Sequence, residues 1–202
     1  MVADMYRALR GLVLAAILAG LGGCAAFYVD GNVPEVPAAQ YQKPATPTDV
    51  QLIWEFQTKG VANAKATELL KTQVSDQLNA SGLFAKVSDA PVNNGALLSI
   101  TVNNVPLTDD AASKGFIAGL TFGLAGQTVG DGYACTLRYL PGRRGAAPLI
   151  HSGKHVIYTS IGTGSPPSGA QKKESADEAV FTMLRQLISR TLDNLSRDPA
   201  FP

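Results

Sequence analysis

His151 and His155 are the chain's only histidines, and their spacing of four would place both imidazoles on one face of a helix, where they could bind one zinc ion. The residues around them alternate like a strand, however, and four residues of strand span about 13 Å. With zinc–nitrogen bonds of about 2 Å, the two rings could meet one ion only if Gly153 bulged the strand. No cluster of Cys or Glu stands nearby in sequence. The expectation is no metal site, and a pair of exposed or half-buried strand histidines.

Two other chemistries are weighed on residue type and spacing. Gly164 to Gly169, followed by Ala170 and Gln171, has the glycine spacing of a phosphate-binding loop and lies between a strand and a helix. It lacks the Lys and the Ser/Thr that contact phosphate and magnesium. Pro166 and Pro167 also remove two backbone donors, so it reads as a connector. A Ser-His-Asp hydrolase would need a nucleophile elbow, and no Gly-x-Ser-x-Gly occurs. Asp109-Asp110 is an adjacent carboxylate pair in a stretch read as a solvated loop. Neither catalysis nor a cofactor is expected.

The segment from Gly115 to Gly126 carries no charge, and Gly115, Gly119 and Gly123 recur every fourth residue. That spacing lets helix backbones approach closely. Its twelve residues are too few to span a bilayer as a helix. Three readings stay open: a connection buried under the sheet, a loop or short helix touching a membrane surface, and an oligomerisation or partner-docking surface. The last two make Phe116, Ile117, Leu120, Phe122 and Leu124 the candidate contact residues. Arg143 and Arg144, at a hairpin tip, read as solvated turn residues.

The amino-terminal stretch addresses the protein. Arg7 and Arg10 precede an apolar run centred on Leu12 to Leu21, and small residues lead into Cys24, the order of a secretory signal peptide. Leu21-Gly22-Gly23-Cys24 resembles the lipobox of bacterial lipoproteins. That resemblance implies cleavage before Cys24, a covalent lipid on its thiol and anchorage by that lipid. Ala25, where an Asp would favour the inner membrane, implies the periplasmic side of the outer membrane. The alternative is an uncleaved membrane helix from Gly11 to Val29, just long enough to cross.

Composition and pattern then bound what the leader delivers. Losing Arg7, Arg10 and Asp4 from 17 basic and 16 acidic residues leaves a neutral mature chain, which disfavours nucleic acid. With lipid on Cys24, Cys135 has no disulfide partner and reads as a small buried hydrophobe. Residues 1–23 are the leader. Residues 24–48, broken by Pro34, Pro37, Pro44 and Pro47, read as the lipidated cysteine and a tether. Residues 49–198 form one domain.

Within that domain, Val50, Leu52, Trp54 and Phe56 alternate with polar residues as a half-buried strand. A helix is predicted over 61–80, ended by Gly82. Strands follow over 83–87, 96–105, 133–140 and 149–161. A final helix starts at the Ser175/Glu178 capping box and carries a stripe from Ala179 to Leu195. The order β-α-β-β-β-β-α predicts an α+β two-layer sandwich, with two amphipathic helices on one face of a mostly antiparallel sheet of four to five strands.

That order resembles small α/β accessory lipoproteins of lipopolysaccharide-assembly and transport systems. The expected role is a non-enzymatic accessory subunit, anchored to the membrane by lipid, that binds another envelope protein. The alternatives are a lipid- or glycan-binding module with a pocket lined by Phe116, Phe122 and Tyr133, and a hydrolase using His151 or His155.

Overall fold

Two periodicities build the fold. The computed structural model describes residues 25–107, 128–142 and 145–202. In chain order these form β1 (Ala25–Val29), a 3-10 turn (Ala38–Gln40), β2 (Thr48–Thr58), β3 (Val61–Ala62), α1 (Ala64–Ala80) and β4 (Phe84–Ser88). There follow β5 (Ala96–Leu107), β6 (Thr128–Leu140), β7 (Leu149–Ile161), β8 (Gln171–Lys173) and α2 (Ala176–Ser196). The sheet runs β3-β2-β5-β6-β7-β1-β8, and β4 also pairs with β2. β2 is parallel to β4 and β5, and the other pairings are antiparallel.

Alternate residues of the central strands point at the helices: Leu52, Trp54 and Phe56; Leu98, Ile100 and Val102; Cys135, Leu137 and Tyr139. Opposite them, α2 buries Ala179, Met183, Leu184, Leu187, Ile188, Leu192 and Leu195, a broad stripe at helical spacing. α1 buries only Leu70, Val74 and Leu78, one side chain per turn, so it lies at the edge of the same core. Gly153 lets α2 come close, since a Cβ there would meet Leu187 and Thr191 at 3.1 and 3.3 Å. On the far face of the sheet, Leu107, Val156 and Tyr158 make a smaller buried cluster with Tyr28 and Ala134.

The helix ends follow the capping logic. Asn63 accepts the Ala66 N–H at 3.1 Å, and Gly82 leaves α1 at φ +70. Ser175 Oγ accepts the Glu178 N–H at 3.1 Å, while the Glu178 carboxylate reaches the Glu174 N–H at 2.6 Å. The box thus closes one residue further out than its usual form. α1 is also fixed to β2, where Trp54 Nε1 donates to the Thr67 carbonyl and the Phe56 N–H donates to Thr67 Oγ1, both at 2.9 Å.

Several expectations need correction. Among the described residues the fold is α+β with two helices, but the sheet has eight strands rather than four to five. The added strands β1, β3 and β8 have five, two and three residues, too short to show a periodicity of their own. α1 begins at Ala64 rather than 61, because Val61 and Ala62 first turn back along β2. The stretch read as a tether is part of the folded body. β1 lies between β7 and β8, Val29 is fully buried, and Tyr41 is nearly so. The Val36 N–H donates to Ser189 Oγ at 3.0 Å and the Gln42 N–H to Ser196 Oγ at 3.2 Å, so this segment lies along α2. Proline bars it from helix and ladder, but side-chain acceptors on a neighbouring helix can still hold its backbone. The body also extends past residue 198, since the Phe201 ring packs 5.1 Å from that of Tyr139.

Candidate functional site

The titratable groups come first, because catalysis would need them. His155 is fully buried, not exposed or half-buried as its strand position suggested. Its Nδ1 accepts the Val156 N–H at 2.8 Å, which leaves the proton on Nε2, 2.8 Å from Gln186 Oε1. Burial holds its pKa below the ordinary imidazole value, against the pull of Gln186 and of the Val156 carbonyl oxygen, 3.1 Å from Nδ1. His151 faces the same side of β7, but its Nε2 lies 3.1 Å from Asp198 Oδ2. The two imidazoles therefore serve separate partners. No group of three or more His, Cys, Asp or Glu among the described residues could hold a metal ion.

Cys135 is buried beside Thr191, with its thiol pushed up to about 12 by desolvation, which makes it inert as a nucleophile at neutral pH. Tyr133 belongs to the helix-covered core, its ring 6.4 Å from that of Phe56, and burial raises its hydroxyl pKa. The 164–169 connector folds back on itself, with Ser165 O accepting from Thr128 Oγ1 at 3.0 Å and Gly164 O accepting from Ser160 Oγ. Those two carbonyls are turned to the protein. Cys24, Phe116, Ile117, Leu120, Phe122 and Leu124, together with Asp109, Asp110, Arg143 and Arg144, lie outside the described residues.

A groove of about 650 Å³ lies between α1 and α2, lined mainly by Leu69, Gln73, Gln77, Phe181 and Arg185. Its origin is the narrow apolar stripe of α1. Leu69 and Leu70 are neighbours, about 100° apart around the helix, so both cannot face the core. Leu70 is buried, and Leu69 is left 67% exposed. Across the gap Phe181 is 39% exposed. The helices are joined at the groove floor by two amides one turn apart: Gln73 Nε2 donates to the Phe181 carbonyl and Gln77 Nε2 to the Arg185 carbonyl, each at 2.8 Å. Both glutamine Oε1 atoms are buried without a partner. At the rim the Arg185 guanidinium is already bound to Glu35 at 2.5 Å, while Asp76 also lines the groove. The opening thus offers apolar surface with a carboxylate beside it. The adjacent leucines were the available sequence signal; Phe181 was hidden inside a helix whose whole pattern reads as core.

No family model matches the chain, and no curated protein matches it. Similar solved structures include a PelC dodecamer from Paraburkholderia phytofirmans, at 16% identity over 87% of this chain and 99% of that one, with a TM-score of 0.34. A minor lipoprotein from Acinetobacter baumannii is similar at 14% identity over 76% of this chain and 89% of that one, with a TM-score of 0.28. A Xanthomonas campestris protein of the DUF330 family is similar at 13% identity over 79% of this chain and 87% of that one, with a TM-score of 0.28.

Proposed function

We infer that this chain is a lipid-anchored protein of the bacterial outer membrane, facing the periplasm, that acts as a non-enzymatic accessory subunit. The observation that carries the binding role is the α1–α2 groove, where Leu69 and Phe181 expose apolar surface that a folded domain otherwise hides. Its occupant is a segment of another envelope protein, with an apolar side chain to fill the gap and a Lys or Arg to meet Asp76. The commitments of His151, His155 and Cys135 to internal partners support a role without catalysis. The leader and Leu21-Gly22-Gly23-Cys24 support the compartment and the anchor.

The test is a photo-crosslinking residue placed at Leu69 in intact cells, with Ile150 on the far side of the domain as control. One envelope protein should form an adduct from position 69 and not from 150. Phe181→Asp should abolish that adduct without lowering Tm. An adduct that forms equally from both positions, or none at all, would reject the groove as the docking site. Hydrolytic turnover by the purified protein that disappears in His151→Ala would reject the non-enzymatic reading.

A further inference from the structure

We propose that the end of the sheet where β1 begins is the face that this protein lays against a lipid bilayer. The proposal rests on the reading that Cys24 carries lipid, and adds to it an orientation and a set of contacting residues. β1 is paired from its first residue: Ala25 sits opposite Ile161, and Phe27 has Thr159 on one side and Lys173 on the other. Consecutive Cα atoms are about 3.8 Å apart, so a lipid on Cys24 joins the folded body with no spare chain between them. A body attached in this way cannot float clear of the headgroups. The end nearest the anchor must meet them.

What that end presents suits a bilayer. Antiparallel register brings Ile161, Thr128 and Leu107 to the same end as Ala25, since Thr128 pairs with Ser160 and Leu107 with Gly130. The β2–β3 turn at Lys59-Gly60 lies there too. Ile161 is 48% exposed, Val129 54% and Val61 70%, three aliphatic side chains pointing into solvent on three strands. The connection from Gly162 to Ala170 that follows Ile161 contains no charged residue. Several of its polar groups are satisfied internally, including the Gly164 N–H on the Ile161 carbonyl and the Ala170 N–H on that of Pro167. Such a loop can approach lipid without stripping water from a charge. Of the charged side chains here, Lys172, Lys173, Glu174 and Glu178 line one recess with Ala25 and Ala26, and Lys59 is exposed at the β2–β3 turn; the lysines are placed for headgroup phosphates. Ile150 is exposed as well, but eleven residues along β7 put it about 36 Å from Ile161, at the opposite end of the sheet.

The experiment uses the full processed lipoprotein in phosphatidylethanolamine–phosphatidylglycerol vesicles, with and without brominated acyl chains. A fluorophore is attached in turn to Val61→Cys, Val129→Cys, Ile161→Cys and the control Ile150→Cys. Buried Cys135 does not compete for the label. Bromolipid should quench the first three several-fold more than the control. Inserting about 15 Gly/Ser residues between Cys24 and Ala25, a reach of roughly 20 Å, should bring quenching at 161 down towards the control value while the lipid mass stays on Cys24. Equal quenching at 161 and 150 in protein whose lipid mass is intact would overturn the orientation. Absence of the lipid mass would overturn the anchoring reading itself, and this proposal with it.

Discussion

His155 is the residue through which acid reaches the core. Folded, it is neutral, with Nδ1 filled by the Val156 N–H and Nε2–H on Gln186. Burial lowers its pKa, and the more distant Asp30 and Arg190 push in opposite directions. Because the folded pKa lies below the unfolded one, its stabilising contribution is complete above about pH 6.5 and is lost as pH falls through that value. Urea unfolding should show stability declining by up to about 1.4 kcal/mol per pH unit in that window, and His155→Gln should remove that slope. Gly31 allows a sharper test of packing, since a Cβ there would collide with the Gly169 carbonyl oxygen. Backbone must move to relieve the clash, and Gly31→Ala should cost about 1–3 kcal/mol, read as a lowered midpoint in urea. The two histidines show what residue type and spacing conveyed. Strand geometry correctly separates their rings, but burial at 155 depends on α2 crossing above β7, which local sequence does not reveal.

Among elements, the α1–α2 contact is the weakest link in the helical layer. Gln73 and Gln77 each make one good bond across it and each leave a buried carbonyl oxygen unpaired. A net hydrogen bond is worth about 0.5–1.5 kcal/mol, and an orphaned buried acceptor costs about 1–3. Gln73→Leu should therefore leave thermal stability unchanged within about 1 kcal/mol or raise it, as calorimetry can measure. By contrast, Ser175→Ala removes a satisfied cap and should cost about 1 kcal/mol. The long elements were legible because each repeats its period many times: β5, β6 and β7 alternate, and α2 carries an unbroken stripe. β1, β3 and β8 repeat it once or twice, and their partners are set by tertiary position. The groove was illegible for a related reason, being a space between two helices rather than a property of either.

For the whole molecule, the largest revision concerns the first described residues. Treated as a tether, 25–47 should be removable without consequence. Packed as they are, with Val29 and Tyr41 buried and Phe27 and Val36 against the core, their deletion exposes several apolar side chains, each worth about 1.5–3 kcal/mol. A soluble form lacking 25–47 should lose at least about 10 °C in Tm relative to one beginning at 25, or fail to fold. A melting curve left unchanged by that deletion would restore the tether. Pro34, Pro37, Pro44 and Pro47 account for the misreading: they do exclude regular structure from most of the segment, yet an irregular path can be as firmly held as a helix.

The place of β1 between β7 and β8 has a consequence for how the molecule is made. A chain synthesised amino end first delivers β1 before any of its neighbours, and its pairing with β7 joins residues 128 to 136 positions apart in sequence. Until the carboxyl-terminal third emerges, Phe27 and Val29 have nowhere to go. The sheet's β1 seam must close late, and the ordering cost of so distant a pairing slows that step. The protein's assembly is thus governed by completion of the chain rather than by its progress, and any accident that leaves synthesis unfinished yields a polypeptide whose first strand stays sticky and unpaired.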